Sequence, residues 1–175
     1  MRRSALLSLI FSLALVSQAA ADLRTARQQI PDAELVGQGR LTFLFWSVFD
    51  AALYAPGGVW SENEPFALSL SYLRDLDGES IVEASIKEMR EQGMEDEAVL
   101  QRWRQDMATI FTDVDDQTTL TGIVDQDGHA RFYRNGVAVG IIRDPEFSRR
   151  FFNIWLGQAT SEPELRAQLI GGASS

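Results

Sequence analysis

The sequence predicts an α+β fold, a large antiparallel sheet with helices laid on one face. Strand-like and helix-like segments come in runs (β-β-β, α-α, β-β-β, α-α) and do not alternate one for one, which disfavours a parallel α/β sheet. The stretch FALSLSYL, Phe66 to Leu73, alternates with period two, the pattern of a strand with two distinct faces. Asn135-Gly136 separates two further strand-like runs, and a two-residue hairpin loop of this kind needs positive φ at both central positions.

In chain order, a polar lead from Asp22 to Ile30 ends at the turn signal Pro31-Asp32. Ala33 to Phe45 and Trp46 to Ala55 then read as two strands or one long bent ribbon, with Gly37 and Gly39 marking a bulge or bend. Pro56-Gly57-Gly58 closes the ribbon, and the alternating segment Phe66–Leu73 comes next. Asp77 is placed to cap a first helix whose stripe is Ile81, Val82, Ile86 and Met89, before Gly93 stops it. A second helix, from about Glu95 to Phe111, gathers Val99, Leu100, Trp103, Met107, Ile110 and Phe111 on one side, with charge on the other. Strands are expected again over Thr118–Val124, His129–Arg134 and Val137–Ile142. Asp144-Pro145 opens a third helix, with proline where no N–H is needed, and Gly157 ends it. Ser161-Glu162-Pro163-Glu164 reads as a capping box for a short last helix, Pro163 to Leu169.

The amino terminus has the three-part pattern of a secretory signal peptide: Arg2-Arg3, an apolar run from Ala5 to Val16, then Ala19-Ala20-Ala21. The run is shorter than the roughly 20 residues a spanning helix needs, so cleavage after Ala21 is expected. That leaves residues 22–175 as one domain in the periplasm or outside the cell, with no integral membrane segment after cleavage. The formal charge of the whole chain is −9 and there is no cysteine. A chain this acidic repels phosphate backbones, which argues against nucleic acid as a partner, and its fold rests on a core and not on disulfides.

Four segments carry a resemblance. GRLTFLFWSVFDAALYAP, LSYLRDLDGESIVEASIKEM, the hairpin RFYRNGVAVG and the closing IWLG together resemble the exported bacterial branch of the chalcone isomerase-like family, from about Ala33 to Leu169. The resemblance implies an open-faced β-sandwich, a large antiparallel sheet with helices on one side and an apolar cleft between. Plant members close a flavanone ring, while other branches bind fatty acids or have no known catalysis. Of the four groups the plant enzymes use, the threonine position falls on Phe49, the tyrosine on Ile81 and the lysine on Ala84. The arginine falls near Gly37, with Arg40 three residues on. A phenyl ring and aliphatic side chains cannot stabilise a phenolate. The resemblance therefore implies a non-catalytic protein holding a small apolar ligand such as a fatty acid, with no cofactor and no catalytic residue; with no cysteine and one histidine, no metal site is expected either.

Other polar groups are read from strand alternation and turn chemistry. Alternation places Trp46, Val48, Asp50, Ala52 and Tyr54 on one face, opposite Phe45, Phe49, Ala51 and Leu53. Asp50 then either lines a half-open cleft, with Arg40 or Tyr72 as partner, or faces water as a structural group. Arg40, Tyr54 and Tyr72 are the expected carboxylate anchors, and with Asp50 they form the candidate ligand-binding set. His129, the sole histidine, comes after a turn at a strand start, and Asp113-Asp115-Asp116 and Asp125-Asp127 fit turns better than a calcium loop. Arg149-Arg150 reads as a solvent-facing or acid-paired couple. An isomerase or lyase using Asp50 or His129, and an interaction module for an envelope partner, are the alternative functions.

Overall fold

The structure, a computed structural model, describes residues 18–171; the apolar run of the amino-terminal pattern lies outside them. Residues 18–26 are helical (α1). Then come β1 (Ala33–Phe43), β2 (Trp46–Pro56), β3 (Phe66–Tyr72), α2 (Gly78–Glu91) and α3 (Glu97–Ile110). β4 (Thr119–Val124), β5 (Ala130–Arg134), β6 (Val137–Ile142), α4 (Pro145–Leu156) and α5 (Pro163–Ile170) complete the order. All strand pairs are antiparallel and lie in chain order, β1-β2-β3-β4-β5-β6. The sheet is therefore one meander, interrupted between β3 and β4 by the α2–α3 pair. No described helix is long and apolar enough to cross a membrane.

The ribbon resolves into two strands because Leu44 takes φ +55° and turns the chain between Phe43 and Trp46. Phe45, expected at the end of a strand, is thus a turn residue. The Asn135-Gly136 turn has φ +49° and +80°, the double positive geometry that its residues favour. Helix starts are set by their aspartates. Asp77 accepts from the Ser80 N–H at 2.7 Å, Asp96 from Ala98 and Val99 at 3.0 and 3.1 Å, and Asp144 from Glu146 and Phe147 at 3.1 and 3.3 Å. The capping box expected at Ser161 does not form: Ser161 Oγ donates instead to Glu88 Oε2 at 2.9 Å, and Glu162 caps α5 without a side-chain bond. Ser161 is drawn away because the start of α5 lies beside α2, so a tertiary acceptor outcompetes the local one.

The helices α2 to α5 cover one sheet face and build the main core with it, around Phe49, Leu53, Phe66, Leu68, Trp103, Met107, Phe132, Phe147 and Phe151. Trp103 donates its indole N–H to Asp144 at 2.9 Å, tying α3 to the start of α4. Gly37 and Gly39 let α5 close on β1. A Cβ on Gly37 would lie 2.3 Å from the Gln168 carbonyl oxygen, and one on Gly39 would lie 2.8 Å from the Leu165 side chain. The glycines thus serve a close approach besides the register shift between Leu35 and Gly37.

The polar lead does more than the sequence suggests. It continues α1 and turns onto the opposite face of the sheet, where Ala26, Ile30 and Leu23 pack on Tyr54, Ala67, Ile123 and Tyr133. Beside this small core, Ser69 pairs with Thr121 at 2.8 Å and Ser71 with Thr119 at 3.0 Å, so these hydroxyls find cross-strand partners.

Candidate functional site

The period-two alternation of β2 and β3 decides which side chains can meet between sheet and helices. Phe49, Leu68, Leu70 and Tyr72 point towards the helices, joined by Leu41 and Phe43 of β1 and by Leu120 and Phe132. Across from them, α2 presents Ile81, Ala84 and Ser85, while α4 presents Phe151, Phe152, Ile154 and Trp155. Between the layers lies a cleft of about 490 Å³. That is within the ~300–1,000 Å³ of small-molecule sites, and its wall is apolar with few polar groups, as such sites require.

Apart from Tyr72 and Ser85, those polar groups sit at two ends. At one end Arg74 and Ser80 border the cleft, and Arg74 stands over the Trp46 ring at 5.4 Å. Among the described residues Arg74 makes no ion pair. At the other end are Glu88, Ser161 and Glu162. Burial, then the charges of Glu88 and Glu164, push the Glu162 carboxyl up. Ser80 and Glu88 are eight residues apart on α2, so the two ends are separated by roughly 12 Å. The cleft therefore has a cationic end and an acidic end. Tyr72, buried and edge-on to Phe49 at 5.9 Å between ring centres, contributes its phenol to the sheet side, where burial pushes it well above the usual phenol range.

Of the candidate ligand-binding set, the structure brings only Tyr72 to this cleft. Arg40, Asp50 and Tyr54 lie on the other face of the sheet. Arg40 clasps Asp50 from the facing strand through Nε at 2.6 Å and Nη2 at 2.9 Å. This is a bidentate, solvent-exposed pair, the kind that adds about 0–1 kcal/mol of stability, and it accounts for a charge in an otherwise apolar strand. Tyr54 is buried under α1, and burial, then the Asp22 charge, push its phenol up.

Asp22 is itself buried on that face, where burial, offset in part by Gln18, lifts its carboxyl from 3.8 to about 6. The folded pKa lies above the unfolded one, so the native state holds more protons between about pH 4 and 6. Stability is then fully present below about pH 4 and declines as pH rises through about 6, where it levels off. Asp22→Asn is expected to abolish that decline and to raise stability at pH 7 by about 1–2 kcal/mol, allowing for partial water contact. Urea unfolding of both proteins between pH 4 and pH 8, each retaining residues 18–21 so that Gln18 still meets Asp22, reads the difference; parallel curves would refute the assignment.

His129 and the aspartates beside it are turn chemistry. Asp125 accepts from the N–H groups of Asp127 at 3.0 Å and His129 at 2.9 Å, and from Arg131 Nε at 2.8 Å. Asp125, Asp127 and His129 do bring their ligand atoms within 4.8 Å of one another, but the Arg131 guanidinium already holds the Asp125 carboxylate. Asp113 and Asp115 likewise accept from the Gly78 N–H and the Thr118 hydroxyl. Arg150 and Arg149 both pair with Glu146.

The fold agrees with what the chain is related to. A family model described as chalcone isomerase-like matches residues 19–171. The chain belongs to the chalcone isomerase-like family. Among solved structures, the crystal structure of a fatty-acid binding protein of Arabidopsis thaliana aligns with a TM-score of 0.62 at 14% identity, covering 79% of this chain and 87% of that one. At that identity the likeness is one of fold. No curated protein sequence matches the chain. Phe49, Ile81 and Ala84, to which the resemblance assigns the plant enzymes' threonine, tyrosine and lysine as an expectation, all line this cleft. Gly37, near which the arginine is expected, is instead pressed against α5, and Arg40, its alternative, lies on the other face of the sheet.

Arg74 and the Phe43–Trp46 turn are not among the features that sequence reasoning finds. For Arg74 a signal exists: it continues the alternation Phe66, Leu68, Leu70, Tyr72 by one more step, onto the helix side.

Proposed function

We propose that this protein binds a single-chain amphipathic acid such as a fatty acid, without chemical conversion, tail inward along the cleft and carboxylate at Arg74. The observation that carries this reading is the pairing of an apolar cleft of about 490 Å³ with a guanidinium at its rim that has no ion-pair partner among the described residues. Glu88 and Glu162 at the far end repel a carboxylate and so orient the ligand with its head towards Arg74. The positions facing the chain are phenyl, aliphatic and methyl groups, which favour an alkyl tail and supply no proton-transfer group where the plant enzymes have theirs. The fatty-acid binding of the Arabidopsis protein with this fold supports the same class of ligand. The Ala5–Val16 run with Ala19-Ala20-Ala21 after it supports export, with residues 22–171 or beyond acting outside the cytoplasm.

Arg74→Ala is expected to weaken binding of palmitate about ten- to a hundredfold, and to leave binding of its methyl ester within a factor of about two, because a charge-assisted hydrogen bond is worth ~1.5–3 kcal/mol only to the charged head. Isothermal titration with both ligands tests it. No palmitate uptake by the wild type, or equal losses for acid and ester, would refute the reading.

A further inference from the structure

The turn between β1 and β2 exposes apolar side chains in an unbroken row: Phe43 is 66% exposed, Leu44 74%, Phe45 97% and Trp46 63%. Such runs are rare on soluble surfaces and mark contact sites. The turn is also built against backbone preference. Leu44 holds φ +55°, where glycine or asparagine is at ease, so a bulky apolar residue stands at a position that ordinary turn chemistry would give to a small or polar one. Two further features sit at its base. Arg74, without an ion-pair partner among the described residues, lies over Trp46, and Phe43 belongs both to the turn and to the lining of the cleft.

We propose that this turn inserts into the outer leaflet of a phospholipid bilayer and makes the cleft open onto lipid, which rests on the reading of the cleft as an acyl-chain site. Phe43, Leu44 and Phe45 would enter the acyl region, while Trp46 and Arg74 lie at headgroup depth, where an amphipathic ring and a guanidinium beside phosphate are favoured. Charge selects the lipid. With a net charge of −9 the chain is repelled by an anionic leaflet, so a zwitterionic surface whose phosphates meet Arg74 is the better match. A second copy of the chain fits less well, because a single protruding turn is convex and does not complement itself. Continuity through Phe43 lets a fatty acid pass from the leaflet into the cleft with its carboxylate already beside Arg74.

The test uses vesicles of phosphatidylcholine brominated on the acyl chains, which quench nearby tryptophans. Wild-type emission is expected to be quenched, and the quenching to be lost in Trp46→Phe, which leaves Trp60, Trp103 and Trp155 in place. L44D/F45D is expected to weaken vesicle binding on the order of a hundredfold, since apolar side chains lose burial and charges replace them. Neither Leu44 nor Phe45 lines the cleft, so that variant should take up cis-parinaric acid from solution like the wild type. Unquenched wild-type protein overturns the proposal, as does quenching that persists in both variants. So does a concentration-dependent oligomer that L44D/F45D dissolves in the absence of lipid. Failure of cis-parinaric acid uptake in every protein, with vesicle quenching intact, would refute the cleft reading and leave the bilayer contact standing.

Discussion

Phe151→Ala is expected to cost about 3–4 kcal/mol of folding stability and to lower the melting temperature by roughly 10 °C. Phe151 is the ring on which the helix-side aromatics converge. It stacks on Phe111 and Phe147 at 5.8 and 5.3 Å between centres, and meets Phe132, Phe152 and Trp155 edge-on at 5.4, 5.3 and 5.3 Å. Removing it vacates space between α3, α4 and the sheet that neighbouring rings in fixed stacking cannot refill without breaking their own contacts. The expected loss is at the lower end of the range for Phe→Ala because Phe151 also lines the cleft, so the vacated volume opens onto a space that water or a ligand can enter. For the same reason a bound fatty acid should raise the melting temperature of the variant more than that of the wild type. Phe45→Ala, at a residue 97% exposed, is the control and should change stability by less than about 0.5 kcal/mol. A loss below about 1 kcal/mol for Phe151→Ala would mean that the aromatic cluster does not hold the helices to the sheet.

Much of the fold is legible in the sequence because local and tertiary preferences agree. Asp77 and Asp144 cap where the apolar stripes begin, Asn135-Gly136 turns where both φ values must be positive, and β3 alternates because one of its faces meets helices. Legibility ends where tertiary contact overrides a local signal. Ser161 has the spacing of a capping box but bonds Glu88 on a neighbouring helix. Asp22 to Ile30 look like a polar lead because only Leu23, Ala26 and Ile30 are needed to cover the other face, and those three are spaced as a helix and its terminal turn would space them. No local rule assigns Leu44 to a turn, since its residue type argues against the geometry it adopts.

The site divides in the same way. Alternation separates Phe49 from Asp50, but it does not say on which face of the sheet the cleft lies. Both faces of β2 meet covering residues, and only the three-dimensional packing shows that α1 covers the Asp50 side. Chemistry alone therefore groups Arg40 and Tyr54 with Tyr72, as polar groups on neighbouring strands. In the structure Arg40 is engaged by Asp50 and Tyr54 lies in the small core, which leaves Arg74 as the cation at the cleft. Apolar residues are more informative here than the polar inventory: Phe49 of β2 and Ile81 and Ala84 of α2, well apart in the chain, all line the same cleft.

Ala84→Trp is expected to abolish ligand uptake, lowering affinity for cis-parinaric acid on the order of a hundredfold while leaving the fold intact. Ala84 is an exposed residue of α2 whose methyl group faces the cleft, so an indole there projects into the gap between α2 and the sheet and not into packed core. The cost to the helix is about 0.5 kcal/mol, the difference in intrinsic propensity, and the melting temperature should scarcely move. This contrasts with Arg74→Ala, which removes only the head contact and should spare an uncharged ester. Blocking the gap excludes acid and ester alike. The pair of variants thereby separates the two halves of the site, tail space and head charge, by ligand chemistry and not by magnitude. If Ala84→Trp binds both ligands as the wild type does, the acyl chain lies elsewhere. The recess on the opposite face bounded by Asp22, Arg40, Asp50, Ala52 and Tyr54 would then be the place to look, since apolar and charged side chains meet there too.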